Sequence, residues 1–232
     1  MKRAALIVAL LALAPTASAQ PPSGAGLYAE NCLSCHGANG VGVPQMGPLL
    51  RGVGAGTADF YLRTGYMPLS SPGEQPYRKR VLFDERDLQA LVRYVASFGA
   101  GPPIPQPRPE QGDVSEGMQL FTEHCAGCHQ VVARGGVAPG ARVPALTRAA
   151  PVEIAEAVRA GPYVMPRFTN ATLSDAQLNS IIRYVDYAKH PSEAGGWGIG
   201  FVGPVPEGMV TWLIAAAALV GVCTAVGRRV RG

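Results

Sequence analysis

Apolar residues recur at helical spacing in two similar stretches of the chain, residues 84–95 and 174–185. In both stretches they fall at positions i, i+3, i+4 and i+7, which places them on one face of an amphipathic helix. Asp84 and Ser174 stand at the starts of these stretches and are suitable N-cap residues. No segment has the alternating pattern of a β-strand. The pattern therefore predicts an all-α fold.

The amino-terminal segment has the pattern of an export signal. Two basic residues, Lys2 and Arg3, precede an uncharged stretch over 4–14, and small residues then lead to Ala19. A charged start, a short apolar run and a small-x-small end are typical of a secretory signal peptide. We therefore predict a signal peptide over residues 1–19, with an uncleaved membrane anchor as the alternative.

A second apolar segment, residues 208–227, contains no charged residue and is followed by a basic tail at 228–232. As a helix it covers about 30 Å, the thickness of the bilayer core. We therefore predict a single transmembrane helix that anchors the chain in the cell membrane. Because basic residues stay on the cytoplasmic side, we expect the tail in the cytoplasm and residues 20–206 outside it. A buried core helix is the alternative, and the arginines of the tail disfavour it.

The distribution of charge removes one class of function. The 232 residues carry a formal net charge of +4, which by itself would be compatible with nucleic-acid binding. Residues 20–206, however, contain 15 basic and 15 acidic residues, so the excess charge belongs to the termini. We therefore expect no nucleic-acid partner. Glycine and proline are abundant, with 29 and 21 residues, and predict extensive loops.

Four of the five cysteines occur in two copies of one motif, Cys-x-x-Cys-His. The copies are Cys32, Cys35 and His36, and Cys125, Cys128 and His129. On a helical turn these three positions share a face, so two thiols can bond to the vinyl groups of a haem while the imidazole binds its iron. A zinc site would need four ligands, and a thioredoxin-like disulfide would not need the histidine. We therefore predict two covalently attached c-type haems.

The internal repeat extends beyond the two motifs. Residues 27–31 match 120–124 as short helices that lead into the motifs, and residues 62–68 match 158–166. Between the halves, five prolines indicate a stiff, extended linker. The predicted organisation is a first domain at 20–98, a linker at 99–112, a second domain at 113–190 and a Gly/Pro-rich tether at 191–207 before the membrane helix.

Each half has a Met-Pro pair in a loop before its last helix, and these pairs supply candidates for the second axial ligand of the iron. The methionines are Met67 and Met165, which stand at matched positions of the repeat. Two such residues in a duplicated unit favour iron ligation over a role as core filler. Met46 and Met118 are weaker candidates. Coordination by His and Met closes both axial positions, which predicts low-spin haems and one-electron transfer.

The duplicated motifs, the loops of Met67 and Met165 and the segment 195–208 together resemble one known family. The segment 195–208 is rich in glycine and proline and is the most specific part of the resemblance. The chain resembles the dihaem cytochrome c subunit of the actinobacterial-type cytochrome bc complex. The resemblance implies two tandem class-I cytochrome c domains and, in each, a proline carbonyl that accepts the N–H of the axial histidine. Pro48 and Pro144 stand at the matching positions.

The resemblance also implies a function and a set of partners. The expected function is electron transfer from the Rieske iron–sulfur protein of a quinol-oxidising complex, which also contains cytochrome b, towards the copper subunit of a terminal oxidase. The chain would be the electron-transfer subunit of a quinol–cytochrome c reductase, without independent catalysis. Two alternatives remain open. One is a dihaem subunit of a periplasmic dehydrogenase, and the other is a dihaem peroxidase, which the two Met-Pro loops disfavour.

Overall fold

The computed structural model describes residues 23–189, 191, 198–200 and 202–231. The chain divides into two compact units, with the boundary between Ile104 and Pro105. The predicted signal peptide lies outside the described residues, and so does most of the predicted tether. Each unit has its own apolar core.

The first unit is built from helices that bring the first Cys-x-x-Cys-His motif next to its apolar core. The helices are α1 (Gly24–Asn31), α2 (Leu33–His36), α3 (Gly54–Arg63) and α4 (Glu85–Ala96). Helices α1 and α3 both pack against α4, and the buried contacts include Leu27, Tyr28 and Leu91. Helix α1 can approach α4 closely because a side chain at Gly24 would collide with the backbone of Ala90.

The second unit repeats this arrangement with an added hairpin. Its elements are α5 (Val114–His124), α6 (Ala126–His129), β1 (Gly136–Ala138), β2 (Ala141–Val143), α7 (Pro151–Ala160) and α8 (Asp175–Lys189). Helix α5 lies against α8, where a side chain at Gly117 would overlap the carbonyl of Ser180. The core of this unit centres on Phe121, Ile181 and Ile182. The predicted domains are therefore mostly helical.

Both predicted helix starts are confirmed by side-chain caps. The Asp84 carboxylate accepts a hydrogen bond from the backbone N–H of Asp87 at 2.9 Å. The Ser174 hydroxyl accepts one from the N–H of Gln177 at 3.3 Å, while the Gln177 side chain accepts one from the N–H of Ser174 at 2.9 Å. Each cap satisfies N–H groups that the first turn of a helix leaves without a partner.

The expectation of no strands was wrong for the second unit. Strands β1 and β2 pair antiparallel, with Gly136 opposite Val143 and Ala138 opposite Ala141. Each strand has three residues, which is too short to show an alternating pattern in the sequence. Proline and glycine occupy the turn between them, and Gly140 has φ +78°, a conformation that glycine adopts without a steric penalty.

The predicted linker, residues 99–112, is shared between the two units. Its first part packs on the first unit, where the Pro102 carbonyl accepts a hydrogen bond from the N–H of Gly56 at 3.0 Å. Its later part packs on the second unit, where the N–H of Arg108 donates to the Asn179 side chain at 2.8 Å. The linker has no regular secondary structure over 101–108 and forms a 3-10 helix at Pro109–Gln111, so its later part is not extended throughout.

The apolar carboxy-terminal segment forms a helix, α9 (Pro204–Arg231), that is longer than the predicted 208–227. It begins earlier because proline is tolerated in the first turn of a helix, where its missing N–H has no helical partner. Its apolar side chains are exposed, and its most apolar window has a mean hydropathy of 2.2. A long exposed apolar helix of this kind fits a membrane anchor.

Asp59 is a buried carboxylate of α3 that has no counterpart at the matching position of the second unit. Asp59, which is 2% exposed, pairs with Arg63 through two bonds of 2.7 and 2.9 Å. Arg63 also reaches Glu85 at 2.9 Å and lowers the pKa of Glu85 to about 2. In the second unit the matching arginine, Arg159, pairs with Asp175 at 2.6 Å, and alanine stands where the first unit has Asp59.

We predict that Arg63→Met destabilises the first unit by about 3 kcal/mol, because it leaves Asp59 buried without its cation. Asp59→Ala added to Arg63→Met should recover most of that loss, since the second unit folds with alanine at this position. Native-state hydrogen exchange of peptides from α3 and α4 in the full-length protein measures both changes. Arg86→Met, at a side chain 63% exposed, is the control and should change little. Equal losses in the single and double variants would contradict the prediction.

Candidate haem-binding sites

Each Cys-x-x-Cys-His motif forms a single helical turn at the end of a core helix. The first cysteine of each motif ends α1 or α5, and its carbonyl accepts the N–H of the motif histidine at 2.9 Å in both units. None of the five cysteines forms a disulfide. Both thiols and the imidazole of a motif therefore lie on one face of the turn, in the order that two thioether bonds and an iron ligand require.

The first thiol of each motif is shielded from water. Burial, with a further contribution from the second cysteine of the motif, raises the pKa of the Cys32 thiol to about 11. Burial acts in the same way on Cys125 and raises its pKa to about 11. Redox-active cysteines need the thiolate and have lowered pKa values. These two thiols therefore do not suit disulfide exchange, and the thioredoxin-like alternative is disfavoured.

The two motif histidines are held by proline carbonyls. His36 Nδ1 lies 2.9 Å from the carbonyl oxygen of Pro48, and His129 Nδ1 lies 3.1 Å from that of Pro144. A carbonyl only accepts hydrogen bonds, so Nδ1 carries the proton and Nε2 keeps the lone pair that can bind a metal. Burial also lowers the pKa of His129, which favours the neutral imidazole.

The loop that carries each proline is turned back by a glycine. The N–H of Gly42 bonds to the His36 carbonyl at 2.8 Å, and the N–H of Gly135 bonds to the His129 carbonyl at 3.0 Å. These glycines have φ values of +81° and +76°, which non-glycine residues rarely adopt. A Cβ at Gly135 would also lie 2.6 Å from the backbone nitrogen of Ala145. Glycine therefore allows the loop to bring its proline carbonyl to the imidazole.

A tyrosine hydroxyl fixes the chain just after each motif, and sequence reasoning did not find it. In the first unit Tyr28, on α1, donates to the Gly37 carbonyl at 2.8 Å. In the second unit the position that matches Tyr28 is Phe121, and the hydroxyl comes instead from Tyr184 on α8, which donates to Val131 at 2.8 Å. The sequence does show that tyrosine in the first half is replaced by phenylalanine in the second. Which other residue supplies the hydroxyl, however, depends on which helices pack together.

The two candidate methionines lie in loops that follow α3 and α7. The N–H of Met67 donates to the Tyr61 carbonyl at 3.0 Å, and the N–H of Met165 donates to the Pro162 carbonyl at 3.0 Å. Met165 packs partly buried against the core of its unit. The weaker candidates Met46 and Met118 are 41% and 49% exposed, which disfavours a role inside a haem pocket.

The residues of both units fit a c-type haem. Each unit combines two free thiols on one helical turn with a buried imidazole whose Nδ1 is already engaged. Each also has a thioether in a loop before the last helix. Thiols, imidazole and thioether are the groups that hold haem c and complete its iron coordination.

Two such sites in small helical units, together with an exposed apolar helix, define a class of protein: the anchored c-type cytochromes with two cytochrome domains. Comparisons with known proteins agree with this class. Residues 23–99 match the family model described as cytochrome c. Residues 112–185 match the model described as cytochrome c oxidase, cbb3-type, subunit III. Two cytochrome c domains imply binding of two haem c groups.

The chain is similar to curated proteins over most of its length. It is 36% identical over 224 residues to the cytochrome bc1 complex cytochrome c subunit of Corynebacterium diphtheriae, covering 89% of this chain and 80% of that protein. The protein of the same name from Mycobacterium tuberculosis is 37% identical, at 92% and 80% coverage. The cbb3-type cytochrome c oxidase subunit CcoP of an Azospirillum species is 27% identical, at 70% and 60% coverage. The chain belongs to the family of cytochrome bc1 complex cytochrome c subunits, which confirms the resemblance seen in the sequence.

We predict that each motif attaches its own haem. Replacing Cys32 and Cys35 together by serine should leave about half of the covalently bound haem, since the second motif remains intact. Haem staining of denatured full-length protein, normalised to protein amount, measures this. Cys223→Ser is the matched control, because this exposed cysteine lies in α9 and its loss should not change the stain. An unchanged stain in the Cys32/Cys35 variant would contradict the prediction.

Proposed function

We propose that this chain is the electron-transfer subunit of a quinol-oxidising cytochrome bc complex. The observation that carries the proposal is the pair of Cys-x-x-Cys-His sites within a chain that matches bc1 cytochrome c subunits over most of its length. Such a complex oxidises quinol and reduces cytochrome c. This chain transfers electrons within it and has no separate catalytic activity.

In this proposal each unit holds one haem through residues of its own. Cys32 and Cys35 would hold the first haem covalently, and His36 and Met67 would bind its iron. Cys125 and Cys128 would hold the second haem, and His129 and Met165 would bind its iron. When bound, haem c supplies a one-electron redox centre.

Hydrogen bonds within the protein orient the two proposed histidine ligands. The carbonyls of Pro48 and Pro144 orient the two imidazoles and hold a proton at Nδ1. The thioethers of Met67 and Met165, if they bind iron, would hinder external ligands and raise its reduction potential. A fixed ligand set of this kind favours electron transfer over peroxidase chemistry.

The proposed electron-transfer route lies on the outer side of the membrane. The chain accepts electrons from the Rieske iron–sulfur protein, beside cytochrome b, and passes them towards the copper subunit of a terminal oxidase. In this proposal helix α9 anchors the chain, and its terminal arginines, Arg228, Arg229 and Arg231, support a cytoplasmic position for that end. Both haem units then lie outside the cytoplasm, where the acceptor is expected. The similarity to bc1 subunits does not favour the dehydrogenase alternative.

The partner assignment is tested by affinity purification of the full-length chain from detergent-solubilised membranes, followed by mass spectrometry and haem staining. Cytochrome b and a Rieske protein should co-purify in stoichiometric amounts. A version ending at residue 203, which lacks α9, is the control and should recover much less of both. Recovery of a dehydrogenase without cytochrome b would replace the proposed function by its alternative.

The axial methionines are tested one at a time. Met67→Ala and Met165→Ala should each remove about half of the Met-to-iron charge-transfer absorption of the oxidised protein and let carbon monoxide bind to one reduced haem. Met118→Ala is the control, because Met118 is exposed on α5, and it should leave the spectrum unchanged. If either loop variant keeps the full absorption, that methionine is not the ligand.

A further inference from the structure

Two loops are longer in the second unit than in the first. His36 and its proline are 12 residues apart, whereas His129 and its proline are 15 apart. The loop between the glycine after the third core helix and the methionine is also longer: Gly65 precedes Met67 by two positions, and Gly161 precedes Met165 by four. Both extensions belong to loops that flank the proposed second haem.

The two extensions meet at one hydrogen bond. The longer proline loop forms the β1–β2 hairpin, with Gly140 in its turn. The longer methionine loop contains Tyr163, whose hydroxyl donates to the Gly140 carbonyl at 3.2 Å. This bond joins the loop of Met165 directly to the hairpin.

The hairpin is in turn connected to the axial histidine. Strand β2 ends at Val143, and the next residue, Pro144, accepts the hydrogen bond from His129. A short path therefore runs from the methionine loop through Tyr163 and β2 to the imidazole. Along it, one hydrogen bond joins the loop of Met165 to the hairpin loop, whose Pro144 carbonyl accepts from His129.

Tyr163 lies at the surface of the protein. Its side chain is 51% exposed, and its backbone has φ +56°, which is unfavourable for a bulky residue. Such a conformation persists where surrounding contacts maintain it. In the first unit, by contrast, the residue before Met67 is Tyr66, which is 8% exposed and packs against Phe60 at 5.3 Å. Next to the methionine, the first loop thus has a buried tyrosine ring, whereas the second has an exposed tyrosine that bonds to the hairpin.

We propose that Tyr163 is a positioning residue that holds the loop of Met165 in place by fastening it to the hairpin. This inference rests on the proposed ligation of the second haem by Met165. It adds a hydrogen bond at the surface to the packing of Met165 against the core as a support of the second Met–iron bond. Loss of this hydrogen bond should therefore let external ligands displace methionine from the second haem more readily.

The test uses the oxidised full-length protein with the first haem made spectroscopically silent by Met67→Ala. The remaining Met-to-iron charge-transfer band then reports on the second haem alone. Cyanide, which displaces the thioether, is titrated against this band. Tyr163→Phe removes only the hydroxyl, and we expect the band to disappear at about fivefold lower cyanide concentration, the effect of one lost hydrogen bond. If Met67→Ala does not assemble, Met67→His provides the same spectral isolation.

The controls separate positioning from a general structural effect. Val164→Ala changes the neighbouring exposed side chain of the same loop and should leave the cyanide midpoint unchanged. Far-ultraviolet circular dichroism should be the same for all variants. An unchanged midpoint in Tyr163→Phe, or an equal shift in Val164→Ala, would overturn the positioning role.

A further variant distinguishes this inference from the function on which it rests. Met165→Ala in the same background should abolish the band. If the band is lost but Tyr163→Phe has no effect, only the positioning role fails. If the band survives Met165→Ala, the proposed ligation fails, and the positioning role fails with it.

Discussion

The hydrogen bond between a histidine Nδ1–H and a proline carbonyl is the contact on which each half of this protein depends. It sets the tautomer and the direction of the imidazole that follows the two cysteines. To make it, the chain must reverse after the motif, which requires a glycine at positive φ in both units. The helical turn, the glycine and the proline loop together bring the histidine Nδ1–H to the proline carbonyl. The surrounding helices support this arrangement.

The two units meet this condition with different supporting contacts. The hydroxyl that fixes the chain after the motif comes from α1 in the first unit and from α8 in the second. The first unit buries Asp59 against Arg63, whereas the second has alanine at that position and a hairpin beside its haem site. The two candidate haem sites therefore have similar chemical groups but different surroundings.

Features that depend on neighbouring residues were predicted well from the sequence. The caps at Asp84 and Ser174 involve residues three positions apart, so local pattern was sufficient. The hairpin was missed because its strands have three residues each. The bond from Tyr163 to Gly140 joins residues 23 positions apart, and no periodicity marks such a pair. The linker was read as extended, but its attachment to both units depends on side chains such as Asn179 that lie far along the chain.

The sequence by itself determined the family, the duplicated motifs and the apolar anchor, because these are properties of spacing and composition within short segments. The tertiary structure decided how each site is supported: which helix supplies the tyrosine hydroxyl, which carboxylate is buried, and which loop holds the second methionine. These contacts join segments that are distant in sequence. Their formation depends on loop length and on the close approach of helices at glycine, and neither can be read from one segment alone.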